Sequence, residues 1–288
     1  MARATVDGVG IGYEVVGEGR PWVITPGARA GRDVGGVREL AEALAEAGNQ
    51  VVIWDRPNCG ESDVCFEGPS ESDLQADCLA GLLRHLDLGP TIIAGGSGGS
   101  RVSLLTAARH PDVAAGLALW WITGGVLGSI GLGWHYCNES IRAAFHHGMD
   151  AVVELPAWRE QLERNPDNRH RMLELDRDEF IATMERWMLV YCPCDETEIV
   201  AGLSAADAAR LQIPALVFRS GASDLHHPRA TSEQVAEVLP NAELVEPPWG
   251  DREWHDRQDA RTERGESLFG RWPLLAPQLL AWADGSVG

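Results

Sequence analysis

Apolar residues recur along the first half of the chain in two rhythms. Short β-rich runs at Gly10–Val16, Trp22–Thr25, Gln50–Trp54, Thr91–Gly95 and Gly116–Trp121 alternate with helix-like stretches at Val34–Gly48, Ser70–Leu86 and Gly99–His110. In the first of these stretches Val37, Leu40, Ala41 and Leu44 fall at i, i+3, i+4 and i+7, one face of a helix. Gly48 then supplies a stop. Val51–Trp54 and Thr91–Gly95 carry no charged residue, as strands covered on both faces should. Strand alternating with helix predicts an α/β fold, a mostly parallel central sheet with helices on both faces.

The rhythm changes after Trp121. Residues 123–208 show no strand–helix alternation and read as helices at Glu139–His147, Met149–Arg164, Arg169–Leu175 and Glu179–Leu189. Alternation then resumes with a strand at Pro214–Arg219, a helix at Thr231–Leu239 and a strand at Glu243–Glu246. An amphipathic stretch at Pro273–Ala283 closes the chain. This pattern predicts an α/β core of residues 1–122 and 209–288 with a helical cap, residues 123–208, inserted into it.

Composition narrows the chemistry. With 288 residues, 44% of them hydrophobic, the chain can bury a large core without disulfide or metal staples. Against 43 carboxylates stand 24 cations, a net charge of −19. Such a field repels phosphate backbones and anionic lipid headgroups, so neither nucleic acid nor a membrane is expected as a partner. Every cation is Arg, which excludes a Schiff-base or Walker lysine. The six Cys are scattered apart from Cys192-Pro193-Cys194, and no C-x-x-C pair occurs. No metal or cofactor is expected. The N-terminus lacks a signal-like apolar run, and no stretch approaches the roughly 20 apolar residues of a membrane helix. The expectation is a cytoplasmic protein acting on a small-molecule substrate; a homodimer stays open.

One segment carries chemistry directly. In Thr91-Ile-Ile-Ala-Gly-Gly-Ser97-Gly-Gly-Ser-Arg101 a buried strand runs into G-x-S-x-G and then into a helix. That context suits a nucleophile elbow, a turn so sharp that the residues around the serine must be tiny. The Gly98 amide, at the helix N-terminus, is placed to donate to an oxyanion. The alternative is a glycine-rich phosphate loop or a plain tight turn.

A second segment, Asp55-Arg-Pro-Asn-Cys-Gly60-Glu-Ser62, resembles the D-x-x-G-x-G-x-S loop of the α/β-hydrolase superfamily, with Asn58 where the first glycine usually sits. Asp55, Arg56, Gly60 and Ser62 match, and the resemblance implies a structural role for this loop. It covers about residues 10–120 and 210–285. The inserted helices match, by placement, the cap of the epoxide-hydrolase and carbon–carbon hydrolase branches. The resemblance also implies a triad in the order Ser, Asp, His. Gly221 and Asp224, after the strand Pro214–Arg219, fit the family's G-x-x-D loop and make Asp224 the acid.

The base is harder to place. The family's G-H pair falls on Gly250-Asp251, so His255, four residues further on in an Arg-, Asp- and Glu-rich loop, is the expected base. His227, three residues after Asp224, is the other candidate. The second oxyanion donor is expected after Trp22–Thr25, from Gly27 or Ala28, because Pro26 has no N–H. Of Trp120 and Trp121, strand alternation would turn one toward the substrate pocket. Trp134, Trp158, Trp187 and Tyr191 suit core packing or substrate contact. Arg101 suits an anionic substrate group or a carboxylate of the protein. A serine at the elbow, where dehalogenases and epoxide hydrolases of the superfamily carry Asp, implies attack on an acyl carbon. The reading is a serine hydrolase cleaving an ester or lactone of an apolar or aromatic substrate. Its alternatives are a carbon–carbon hydrolase and a non-catalytic binding protein.

Overall fold

The computed structural model describes residues 2–192 and 197–287. Pro193 and Cys194, from the close-set cysteine pair, lie outside them; Cys59, Cys65, Cys78 and Cys137 are free thiols. The strands of the central sheet are β1 (Ala2–Val6), β2 (Val9–Val16), β3 (Arg20–Thr25), β4 (Asn49–Trp54), β5 (Thr91–Ser97) and β6 (Ala114–Ile122). After a small ribbon, β7 (Glu198–Val200) with β8 (Leu203–Ser204), the sheet is completed by β9 (Ala215–Phe218) and β10 (Ala242–Val245). Its order is β1-β2-β4-β3-β5-β6-β9-β10. Pairing is parallel from β4 onward, and β1 and β2 form an antiparallel edge.

The helices are α1 (Val37–Glu46), α2 (Glu71–His85), α3 (Gly98–Arg109), α4 (Val126–His147), α5 (Met149–Val152), α6 (Arg159–Arg164), α7 (Asp167–Leu173), α8 (Arg177–Val190), α9 (Ala205–Ala208), α10 (Arg229–Val238), α11 (Glu253–Arg264) and α12 (Ala276–Ser286). Successive strand residues point to opposite faces. Val23, Val52 and Ile93 pack with α2, α3 and α10. Their neighbours Trp22, Ile24, Val51, Ile53, Ile92 and Ala94 pack with α1 and α12. The expected sheet with helices on both faces is the one observed.

Between β6 and β9 the chain builds a third core from α4–α8, with Cys137, Trp158, Met172, Phe180, Met184 and Trp187 inside it. Trp134, by contrast, is exposed. This helical segment rests on the loops that leave the C-terminal ends of β3 and β4. The buried Asn168 amide accepts from the Val64 N–H at 3.0 Å and donates to the Ser62 carbonyl at 2.9 Å. Trp158 lies under the Arg29 guanidinium at 4.2 Å.

Asp55 braces the loop after β4, as the resemblance implied. Asp55 accepts from the Arg32 and Glu61 amides at 2.6 and 3.0 Å and from the Arg32 guanidinium. Asn58 has φ +67, the left-handed conformation that a glycine would adopt and that Asn tolerates.

Candidate active site

Residue by residue, the elbow follows from close packing. Ser97 has φ +58 and ψ −126, outside the ordinary regions for a side-chain-bearing residue. A Cβ on Gly99 would stand 2.0 Å from the Thr25 carbonyl oxygen, and one on Gly95 would stand 2.5 Å from that of Gly99. Only glycines let α3 approach β3 and β5 closely enough to hold this turn.

An imidazole meets the Ser97 hydroxyl, and it belongs to His227. Its Nε2 lies 2.9 Å from Ser97 Oγ, and its Nδ1 lies 2.8 Å from Asp224 Oδ2. The same Asp224 accepts at its other oxygen from the His226 and His227 amides, both at 3.1 Å. One oxygen therefore folds the turn and the other orients the ring. Ser97 and Asp224 meet through His227; His255 does not join them.

That correction has a physical reason. Residues 253–264 form a helix rather than a loop, and His255 stands on its exposed side. The face turned inward carries Glu253, Arg257 and Ala260. Asp251, where the resemblance placed the base, is exposed and paired with the Arg229 guanidinium.

Arg257 reaches Asp224 Oδ2 at 2.9 Å and lies 3.8 Å over the Trp121 ring. Nothing in the sequence pattern singled it out. Burial pushes the His227 imidazole below its ordinary value; Asp224 opposes this and Arg257 adds to it. Burial would raise Asp224, but the bond from His227 and the charges of His227 and Arg257 hold it below the usual carboxylate range. Burial lifts Glu253, beside Arg257, to about 7.

Both tryptophans expected near the pocket are core residues. Trp120 and Trp121 are 0% and 2% exposed and pack together with Trp272. Gly96 pairs with Trp120 but Ser97 pairs with Ile122, so Trp121 is the extra residue of a bulge. The bulge breaks the alternation that would have turned one indole outward. Trp121 instead stacks on the His227 ring, centroids 6.1 Å apart.

Gly27 lies directly against the nucleophile, where a Cβ would stand 3.0 Å from Ser97 Oγ. The Ala28 amide faces Gly98 across the turn. A cavity of about 390 Å³ opens beside these groups, lined by Ser97, His226, His227, Tyr136, Trp254 and Phe269 among others. Among the described residues Arg101 binds no carboxylate; it donates to Ser72, Thr123 and Tyr191, each at 2.8 Å. Among the described residues no group of three His, Cys, Asp or Glu side chains is placed to hold a metal ion, and no helix is long and apolar enough to cross a membrane.

Known proteins share this architecture. A family model for the alpha/beta hydrolase fold matches residues 21–154. A 2-hydroxy-6-oxononadienedioate/2-hydroxy-6-oxononatrienedioate hydrolase of Burkholderia vietnamiensis is 36% identical over 78 residues, 27% of either chain. A second curated relative, from Mycobacterium phage D29, is 32% identical over 151 residues, 52% of either chain. The chain thus spans about a quarter and about half the length of these two relatives. Among solved structures, the enol-lactonase from Burkholderia xenovorans is 22% identical with a TM-score of 0.54, covering 91% of this chain and 97% of its own. A thermophilic esterase from Thermogutta terrifontis is 19% identical with a TM-score of 0.61, covering 100% and 99%.

Proposed function

We propose, from the premise that this chain has the α/β-hydrolase fold, that it is a serine hydrolase cleaving an ester or lactone bond through an acyl-enzyme. The carrying observation is the His227 ring, bonded at one nitrogen to Ser97 and at the other to Asp224. With Nδ1–H donated to Asp224, Nε2 is free to take the Ser97 proton as Oγ attacks the acyl carbon. Asp224 holds the tautomer and stabilises the imidazolium that forms. The Gly98 amide, at the first turn of α3, and the amide of Ala28, or of Gly27 before it, receive the oxyanion. His227 returns its proton to the leaving oxygen. Water, activated by the same ring, then releases the acid. Carbon–carbon bond cleavage beside a ketone is the second reading, supported by the short likeness to the Burkholderia vietnamiensis hydrolase.

Short-chain p-nitrophenyl esters test the proposal. A pre-steady-state burst of nitrophenol equal to the enzyme concentration is expected, and Ser97→Ala should remove both burst and turnover. A folded Ser97→Ala protein retaining most of its turnover would contradict it.

A further inference from the structure

Two guanidiniums converge on the elbow without a carboxylate between them. Arg56 and Arg101 are 3% and 5% exposed. Among the described residues neither has a carboxylate within ion-pair distance, in a chain where 43 carboxylates face 24 Arg. Arg101 gives three of its five N–H donors to neutral hydroxyls and keeps one on each terminal nitrogen without a hydrogen bond among the described residues. Arg56 uses Nη2 to bind the carbonyls of Gly27 and Ala28 at 3.1 and 2.6 Å. Its Nε is buried without a partner, and its Nη1 makes no hydrogen bond among the described residues.

Those groups face one place. A Cβ added to Gly98 would have as its nearest neighbours Arg56 Nη1 at 3.7 Å, the Ala28 amide nitrogen at 3.9 Å and Arg101 Nη2 at 3.9 Å. All three are donors, and the residue they surround directly follows the nucleophile. Holding two buried cations without an ion-pair partner is costly, even with the buried Glu71 nearby. The loop-bracing role of Arg56 Nη2 does not account for Nη1, and neutral hydroxyls do not account for a cation at position 101. Among the described residues, the lining of the cavity that opens on Ser97 includes Arg261 and Arg257, the latter paired with Asp224, and no Asp or Glu.

We propose that the substrate's acyl part carries a carboxylate near the scissile carbonyl, and that Arg56 and Arg101 receive it beside Gly98. The class is a half-ester of a dicarboxylic acid, or a lactone bearing a carboxylate. A planar monoanion suits paired guanidinium forks better than a neutral chain end does. The inference rests on the serine-hydrolase reading above.

The test compares mono-(p-nitrophenyl) glutarate with its methyl-capped counterpart, two esters of similar acyl length that differ by one charge. After subtraction of the uncatalysed rates, the wild-type enzyme should show a kcat/KM at least about tenfold higher for the acid, and a smaller ratio overturns the inference. Arg56→Met and Arg101→Met should each bring the ratio toward one, and Arg→Lys should restore part of it. Either buried change can cost folding, so a second measurement uses the wild type alone. Glutarate should slow fluorophosphonate labelling of Ser97, and dimethyl glutarate at the same concentration should not; equal effects overturn the inference. If Ser97 labels and both esters turn over without preference, only the carboxylate subsite fails. If Ser97 neither labels nor turns over either ester, the serine-hydrolase reading fails and the subsite with it.

Discussion

At Asp224 two donors share one oxygen: the His227 ring and the Arg257 guanidinium both reach Oδ2, at 2.8 and 2.9 Å. The groups that face His227 are Asp224, Arg257 and the neighbouring His226, with Glu253 behind Arg257. The base acts deprotonated, and burial, seconded by Arg257, holds its pKa below 6.5. The acid limb of kcat/KM should therefore lie below the ordinary imidazole value. Arg257→Met removes a cation that disfavours the imidazolium, so the limb should move to higher pH. A loss of rate at every pH with the limb unmoved would assign Arg257 to packing alone. His255→Ala should change kcat/KM by less than about twofold, as an exposed substitution away from the site does. His227→Ala should cost on the order of 10⁴-fold or more. Of this arrangement the sequence showed the serine and the acid, each in a recognisable strand–turn setting. The base was also in view, because Asp-Leu-His-His places an imidazole one turn from its carboxylate. The family's chain order drew the expectation to the segment after the last strand instead.

Elements were legible where their apolar rhythm is strong. The strands from Val9 to Ile122 and the helices α1 to α3 lie where the pattern put them, within a few residues. Two misses have separate causes. Helix α11 buries Glu253, Arg257 and Ala260, an i, i+4, i+7 stripe, but two of its three positions are charged, so a hydrophobic reading sees a loop. The first half of α4 carries Gly128, Gly131 and Gly133, which weaken any propensity signal. Placement of the inserted helices on the core depends on polar contacts that no rhythm reveals. Asn168, fully buried, joins α7 to the loop after β4. Asn168→Ala strands the Val64 N–H and the Ser62 carbonyl away from water. It should destabilise the protein by about 1–3 kcal/mol, read as a lower urea midpoint at unchanged slope. An unchanged midpoint would show that the insertion is held by its apolar contacts alone.

For the whole molecule, the sequence predicted a mostly parallel α/β sheet with helices on both faces, and the sheet has that form. The cationic lining around Ser97 was out of reach, because it depends on which Arg side chains fold away from the 43 carboxylates. The central claim is that one serine, activated by His227, performs the chemistry. Its most direct measurement is the rate and position of fluorophosphonate labelling, mapped by mass spectrometry, in the wild type, His227→Ala and His255→Ala. The account predicts a single adduct on Ser97 in the wild type and in His255→Ala at similar rates, and labelling slowed on the order of 10³-fold or more in His227→Ala. An adduct elsewhere, or a His255→Ala protein that loses labelling while His227→Ala keeps it, would contradict the account.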